Sequence, residues 1–217
     1  MKTVRILIAD DHDIVREGLR RLLQPQPGWT ICDEAATGRE AVEKACRHRP
    51  HVVVMDFSMP ELNGLEATRQ IRKAVPQAEV LILTMHDSEQ LAREILMAGA
   101  RGFVLKTHAK NQLVPAVTAL AKHKPYFDSG VSAMLLHTFL NPESQLAGSA
   151  PTGRLTPRER EILQLIAEGR TNKEVAARLA VSPKTVDAHR ANIMNKLDLH
   201  SASQLVLYAV RNNIVQA

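Results

Sequence analysis

Five polar residues of the first half carry types that together do one kind of chemistry: Asp10, Asp11, Asp56, Thr84 and Lys106. Three carboxylates brought into one crevice repel each other unless a hard cation with oxygen ligands sits between them, and Mg²⁺ is the natural occupant. A carboxylate beside such a cation, faced by a hydroxyl and an ammonium, is an arrangement for receiving a phosphoryl group. The cation and Lys106 neutralise the phosphoryl oxygens while Asp56 attacks phosphorus.

That chemistry needs an architecture that brings the five residues together. Five short apolar runs, Val4–Ala9, Thr30–Ala35, Val52–Met55, Val80–Leu83 and Gly102–Leu105, alternate with stretches whose apolar residues recur at helical spacing. Three of the runs are nearly continuous Val, Ile and Leu, as a parallel sheet covered on both faces requires. The expected fold is a (βα)5 doubly wound α/β domain of the flavodoxin-like type, in which Asp10 and Asp11, Asp56, Thr84 and Lys106 all fall at strand carboxyl ends, where open α/β sheets bind ligands. No Gly-x-x-x-x-Gly-Lys-[Ser/Thr] or Gly-x-Gly-x-x-Gly segment occurs, so those nucleotide loops are absent and no organic cofactor is expected. An aspartyl-phosphate phosphatase would carry a second acid two residues after its nucleophile, and Ser58 stands there. Cys46, His48 and His51 straddle a helix end and Pro50 and read as a polar turn rather than a zinc site.

Asp10-Asp11, the segment Asp56-Phe57-Ser58-Met59-Pro60 with Asn63-Gly64, Thr84 and Lys106 resemble the receiver domain of two-component response regulators over residues 1–122. The resemblance implies that Asp56 is the phosphoacceptor, that Asp10, Asp11, Asp56 and the Ser58 backbone carbonyl serve Mg²⁺, and that Thr84 and Lys106 hold the phosphoryl group. It also implies that Phe103 is the aromatic switch residue, following Thr84 inward on phosphorylation, and that Ser58 and His86 tune the phosphate's lifetime. Thr107 departs from the Pro that many receivers have after the lysine.

After Ala121 the pattern changes. Lys124-Pro125-Tyr126 ends the last helix, Val131–Leu140 reads as one more short helix, and Asn141–Gly153 is small, polar and rich in Pro and Gly. Residues 123–153 are therefore expected to connect the receiver to a second domain over 154–217. There, capping chemistry starts four helices. Thr156-Pro157-Arg158-Glu159, Thr171-Asn172-Lys173-Glu174 and Ser201-Ala202-Ser203-Gln204 each place a hydroxyl cap three residues before Glu or Gln, and Ser182-Pro183 supplies a cap and a first-turn proline. The expected helices run over 156–167, 171–179, 182–197 and 201–211, and the short connection Ala180–Ser182 is that of a helix-turn-helix. On a helical wheel Val186, Arg190, Ile193 and Leu197 take one side of the third helix, leaving Lys184, Asp187, Ala188, Ala191 and Asn195 as a thin face that can enter a major groove.

Leu155-Thr156-Pro157-Arg158-Glu159-Arg160-Glu161, Asn172-Lys173-Glu174-Val175-Ala176 and Ser182-Pro183-Lys184-Thr185-Val186-Asp187-Ala188-His189 resemble the LuxR-type helix-turn-helix of the NarL/FixJ class of regulators. The resemblance implies groove contacts by Lys184, Asp187, Ala188 and Ala191, with Thr185 and His189 nearer the phosphates. Leu205, Val206 and Ala209 on the last helix are candidates for a dimer contact on DNA, with packing in the domain's own core as the other reading.

Charge agrees with this division. Of the formal +5, an excess of four positive charges lies in residues 151–217, where 10 Lys and Arg accompany 6 Asp and Glu. Hydrophobic residues at 45% and charged residues at 24% are those of a globular chain, and no apolar run approaches the ~20 residues of a membrane span. Cys32 and Cys46, without a Cys-x-x-Cys spacing, suit a reducing compartment and read as small core residues. The whole reads as a cytoplasmic transcriptional regulator, with no turnover chemistry beyond Mg²⁺-dependent gain and loss of its own phosphoryl group. Its expected partners are a sensor histidine kinase or small phosphodonor, double-stranded DNA with inverted half-sites, and a second copy of itself on phosphorylation or DNA binding, with no membrane. Two rivals remain open on the residues alone: a constitutive DNA-binding protein with a structural first domain, and an enzyme turning over phosphate esters.

Overall fold

The computed structural model describes residues 3–127, 155–212 and 214–215, without the side chains of Glu89 and Gln90. The chain folds as two compact units. The first has β1 (Val4–Ala9), α1 (Asp13–Leu23), β2 (Trp29–Ala35), α2 (Gly38–His48), β3 (Val52–Asp56), α3 (Gly64–Ala74), β4 (Glu79–Thr84), α4 (Glu89–Met97), β5 (Gly102–Leu105), α5 (Ala109–Leu120) and β6 (Tyr126–Phe127). All neighbours in the sheet are parallel, in the order β2-β1-β3-β4-β5-β6.

Every residue of β3 and β4 is buried, the consequence of helices on both faces of a parallel sheet. One core cluster runs from Ile6, Ile8, Val52 and Val54 of the sheet to Leu113, Val117 and Leu120 of α5. The order places β1 and β3 side by side with their crossovers leaving in opposite directions. That is the topological switch point, where the carboxyl ends of the two strands open a crevice.

The structure extends the expected five-stranded sheet by one strand. Tyr126 and Phe127 pair with Gly102 and Phe103, so the sheet continues past residue 122. The short segment after α5 turns back through His123 in the left-handed region (φ 57). The expected helix Val131–Leu140 and linker Asn141–Gly153 lie outside the described residues.

Neither cysteine is the small core residue expected. Pairing of β1 with β2 slips between Ile6 and Leu7, which face Ile31 and Asp33, so Cys32 is the extra residue of a bulge. It is half-buried, with Sγ 3.3 Å from the Ile6 carbonyl oxygen. Cys46 is exposed because Ala41 and Ala45 take the buried face of α2. His48 meets Asp33 at 2.9 Å and His51 Nδ1 accepts from the Arg5 backbone N–H, which fits the polar turn expected for that segment.

The second unit has α6 (Pro157–Ala167), α7 (Asn172–Leu179), α8 (Pro183–Leu197) and α9 (Ala202–Arg211) around a core of Ile162, Leu163, Val175, Val186, Ile193 and Leu205. Capping boxes at Thr156/Glu159 and Thr171/Glu174 are complete in both directions. At Ser201 the hydroxyl accepts from the Gln204 N–H as expected, but Gln204 Oε1 takes the His200 N–H, so the return bond lands one residue early. Two polar ties lock the bundle. Arg158 donates to the Leu179 carbonyl at 3.0 Å, and Lys196 reaches both oxygens of Glu159 at 2.8 Å. Burial works against the Glu159 charge, but its bonds to Lys196 and Thr156 outweigh that and hold the carboxyl below its usual range. Among the described residues no helix is long and apolar enough to cross a membrane.

Candidate functional site

The register of the sheet levels the acidic residues before any side chain is considered. Ala9 pairs with Met55, so the next residues on β1 and β3, Asp10 and Asp56, stand side by side at the switch point. Asp56 also faces Leu83, one residue before Thr84, and Thr84 pairs with Leu105, one residue before Lys106. Lys106–His108 forms a single 3₁₀ turn running into α5, which is how the chain leaves β5 with threonine after the lysine.

Lys106 bridges the two buried carboxylates, with Nζ 2.7 Å from Asp10 Oδ2 and 2.9 Å from Asp56 Oδ1. Asp56 Oδ2 is buried without a hydrogen-bond partner among the described residues. Burial, then the neighbouring Asp10 charge, pushes the Asp56 carboxyl up to about 6 despite the opposing pull of Lys106. Burial lowers the affinity of the Lys106 amine for its proton, yet the bonds to Asp10 and Asp56 prevail and raise its pKa. A buried carboxylate oxygen with nothing to bind it, in a cluster short of positive charge, fits a site for a hard cation with oxygen ligands.

The loop after β3 is shaped by Gly64. Its N–H donates to the Phe57 carbonyl at 2.8 Å, and a Cβ there would collide with the Asp56 carbonyl oxygen. Asn63 caps α3 by accepting the Glu66 N–H. The Asn63-Gly64 pair thus sets the path of the loop that carries Ser58 past Asp56. Thr84 is buried and its Oγ1 accepts from the His86 N–H at 3.1 Å. Phe103 is 1% exposed, so its ring lies inside in this structure. Ser58 and His86 are half-buried.

Sequence reasoning missed His12 and Arg16. Ligand atoms of Asp10, Asp11, His12 and Asp56 all lie within 4.8 Å of one another, and His12 Nδ1 sits 2.8 Å from Asp11. Arg16 donates to the Asp10 carbonyl at 2.7 Å, fixing the strand end from α1. Position directly after the Asp pair was the available signal for His12. Arg16 had none, because its partner is a backbone atom.

In the helical unit the wheel holds. Val186 and Ile193 are fully buried, while Lys184, Asp187, Ala188, Ala191 and Asn195 are all exposed. Thr185 is exposed with its hydroxyl 2.8 Å from that of Ser182, and His189 is half-buried. On the last helix the two readings divide between the residues. Leu205 and Ala209 are fully buried in the unit's own core and are not available to a second molecule, whereas Val206 and the overlooked Leu207 are 37% and 46% exposed.

Residues 6–118 match the family model of the response regulator receiver domain, and residues 153–209 that of bacterial regulatory proteins of the luxR family. The chain belongs to the response regulators. It is 42% identical to the oxygen regulatory protein NreC of Staphylococcus carnosus (strain TM300) over 215 residues, covering 98% of this chain and 99% of that one. Among solved structures, the response regulator RcsB in a DNA complex is 28% identical with a TM-score of 0.58, covering 95% of this regulator and 98% of that chain. A second structure, of two RcsB dimers bound to two parallel DNAs, matches with the same identity, TM-score and coverage.

Proposed function

We propose that this regulator is switched by phosphorylation of Asp56 and acts by binding DNA through α8. The observation that carries the reading is the Asp56 carboxylate, buried, tied by one oxygen to Lys106, with its other oxygen unpartnered among the described residues. Asp56 attacks the phosphorus of a phosphohistidine or a small acyl phosphate. The new O–P bond makes an aspartyl phosphate, and the donor leaves with the electron pair of the broken bond. Lys106 holds positive charge against the transferred oxygens, and the Thr84 hydroxyl stands at the adjacent strand end to donate to one of them. Asp10, Asp11, Asp56 and the Ser58 carbonyl are the residues that would hold Mg²⁺, which supplies charge neutralisation between nucleophile and phosphoryl group.

The phosphoryl group brings a charge near −2 to a site whose two buried carboxylates pair with Lys106. Thr84 is the group that responds, turning its hydroxyl from the His86 N–H to the phosphoryl oxygen and so freeing the segment after β4. Phe103, buried on the neighbouring strand where it pairs with Ile82, adjusts with Thr84 as the switch residue. The changed surface then alters how receivers associate. RcsB, by the name of its structure, binds DNA as dimers, which supports inverted half-sites and a two-fold assembly for this chain. On α8, Lys184, Asp187, Ala188 and Ala191 face the bases, with Thr185 and His189 toward the phosphates. A sensor histidine kinase is the expected donor and the cytoplasm the expected place.

The test is incubation with acetyl phosphate and Mg²⁺, followed by intact-mass analysis and gel shift. One base-labile phosphoryl group on the wild type and none on Asp56→Asn is expected, with DNA affinity rising only for the former. Equal labelling of both proteins, or labelling in excess chelator, would refute the assignment. DNA binding that is tight and indifferent to phosphorylation would make the first domain structural.

A further inference from the structure

The face of α8 proposed to meet DNA carries one residue that opposes it electrostatically. Asp187 is exposed, and among the described residues it has no ion pair. A bare carboxylate approaching a phosphate-lined groove weakens binding to every sequence. Among the described residues its hydrogen-bond partner is a neutral donor from the preceding helix: the Asn172 side-chain amide donates to Asp187 Oδ1 across the turn. Asn172 is free to do so because it has no capping duty. Thr171 caps α7 through Glu174 in both directions, leaving the first residue of the helix with its amide unassigned.

We infer that Asn172 and Asp187 act as a pair that reads an exocyclic amine of one base, with Asn172 as a positioning residue that sets specificity without touching DNA. The inference rests on the reading of α8 as the groove-facing helix. A carboxylate offers about four acceptor positions on two oxygens. With Oδ1 held by Asn172, Oδ2 is presented in a fixed direction. In the major groove only cytosine N4 and adenine N6 donate, and adenine places the N7 acceptor beside its amine, which repels a carboxylate. Cytosine is therefore the base selected. Guanine and thymine present acceptors at the same depth and are rejected.

The amide also keeps Asp187 from a competing arrangement. Lys184 stands three residues earlier on the same face, a spacing at which opposite charges meet on a helix. A released carboxylate can turn to Lys184, spending both side chains on each other. Held by Asn172, Asp187 stays directed at the base and Lys184 stays available to a phosphate or a guanine edge.

The experiment uses the full chain treated with acetyl phosphate and Mg²⁺, in four forms: wild type, Asn172→Ala, Asp187→Ala and the double variant. Each is carried through selection from random duplex DNA, then through binding to the recovered site with each base in turn at the affected position. Asp187→Ala should lose preference for cytosine at one position per half-site. Asn172→Ala should weaken preference at that same position by about 2- to 12-fold, the range for releasing one ordered side chain, with affinity for unrelated DNA unchanged. The double variant should match Asp187→Ala. Three results overturn the inference. They are an Asn172→Ala variant silent at the position that Asp187→Ala changes, one that acts at a different position, and one that weakens all sequences alike. If Asp187→Ala itself leaves the recovered motif unchanged, the groove-facing reading of Asp187 fails and the pair fails with it.

Discussion

Replacing Asp56 with asparagine should stabilise the receiver unit, and the size of the effect follows from the site. The Asp56 carboxyl titrates at about 6 in the fold against an ordinary value of 3.8. Ionising it in place therefore costs about 3 kcal/mol more than in the unfolded chain. Because the folded value is the higher one, the folded state binds more protons between the two values, and stability falls as pH rises through that window. Below about pH 4 the wild type carries almost none of the penalty, and above about pH 6 nearly all of it. Asparagine resembles the protonated acid and never bears the charge. In chelator at pH 7, Asp56→Asn should be more stable by up to ~3 kcal/mol, a rise of about 1.5 M in urea midpoint for a typical slope of ~2 kcal/mol per molar. By pH 4 the gain should shrink to about 0.5 kcal/mol. Trp29 on β2 is the single tryptophan of the chain, so its fluorescence follows the receiver in the intact protein. Adding Mg²⁺ at pH 7 should narrow the gap, since a ligand bound by the folded wild type stabilises it by mass action while the variant has lost a donor oxygen. Coincident unfolding curves at pH 7 in chelator, or a gap that persists undiminished at pH 4, would refute the account of the site as strained by unopposed negative charge.

Lys106→Met should raise the Asp56 carboxyl further, because the group that lowers it is gone; the labelling rate by acetyl phosphate should fall at least tenfold and its pH profile should move upward, read by timed intact-mass spectra. Gly64→Ala should lower receiver stability by more than 1 kcal/mol through collision with the Asp56 carbonyl, measured by Trp29 fluorescence in urea, and unchanged stability would mean the loop yields freely. Ala180 ends α7 in the left-handed region (φ 52), so Ala180→Gly should stabilise the helical unit by ~0.5–1 kcal/mol, seen as slower amide exchange across α7 and α8. Residues 151–217 expressed alone should bind DNA with a steep salt dependence, and a folded fragment indifferent to DNA at low salt would remove the charge argument.

What the sequence determined by itself is what depends on residue type at local spacing. Runs of Val, Ile and Leu without polar alternation specify strands buried on both faces, so β1, β3, β4 and β5 were legible to within a residue or so at each end. Hydroxyl caps followed by Glu or Gln specify helix starts, and all four C-terminal helices begin where those caps stand. The residues of the acidic site were legible for the same reason: each follows or ends a recognisable strand. Tertiary structure decided whatever depends on a partner far along the chain. That Tyr126 and Phe127 add a sixth strand is a property of the open edge of β5, and that Cys32 sits in a bulge follows from the slipped register with β1. Leu205 and Val206 are equally apolar neighbours, yet one fills the core and the other is exposed, because packing against α6 selects the helix face. The Asn172–Asp187 bond joins side chains 15 residues apart, and the ~3 kcal/mol carried by Asp56 arises only when burial and Asp10 act on it together. Residue spacing names the groups that do chemistry, whereas the field each one feels exists only after the chain has brought the others beside it.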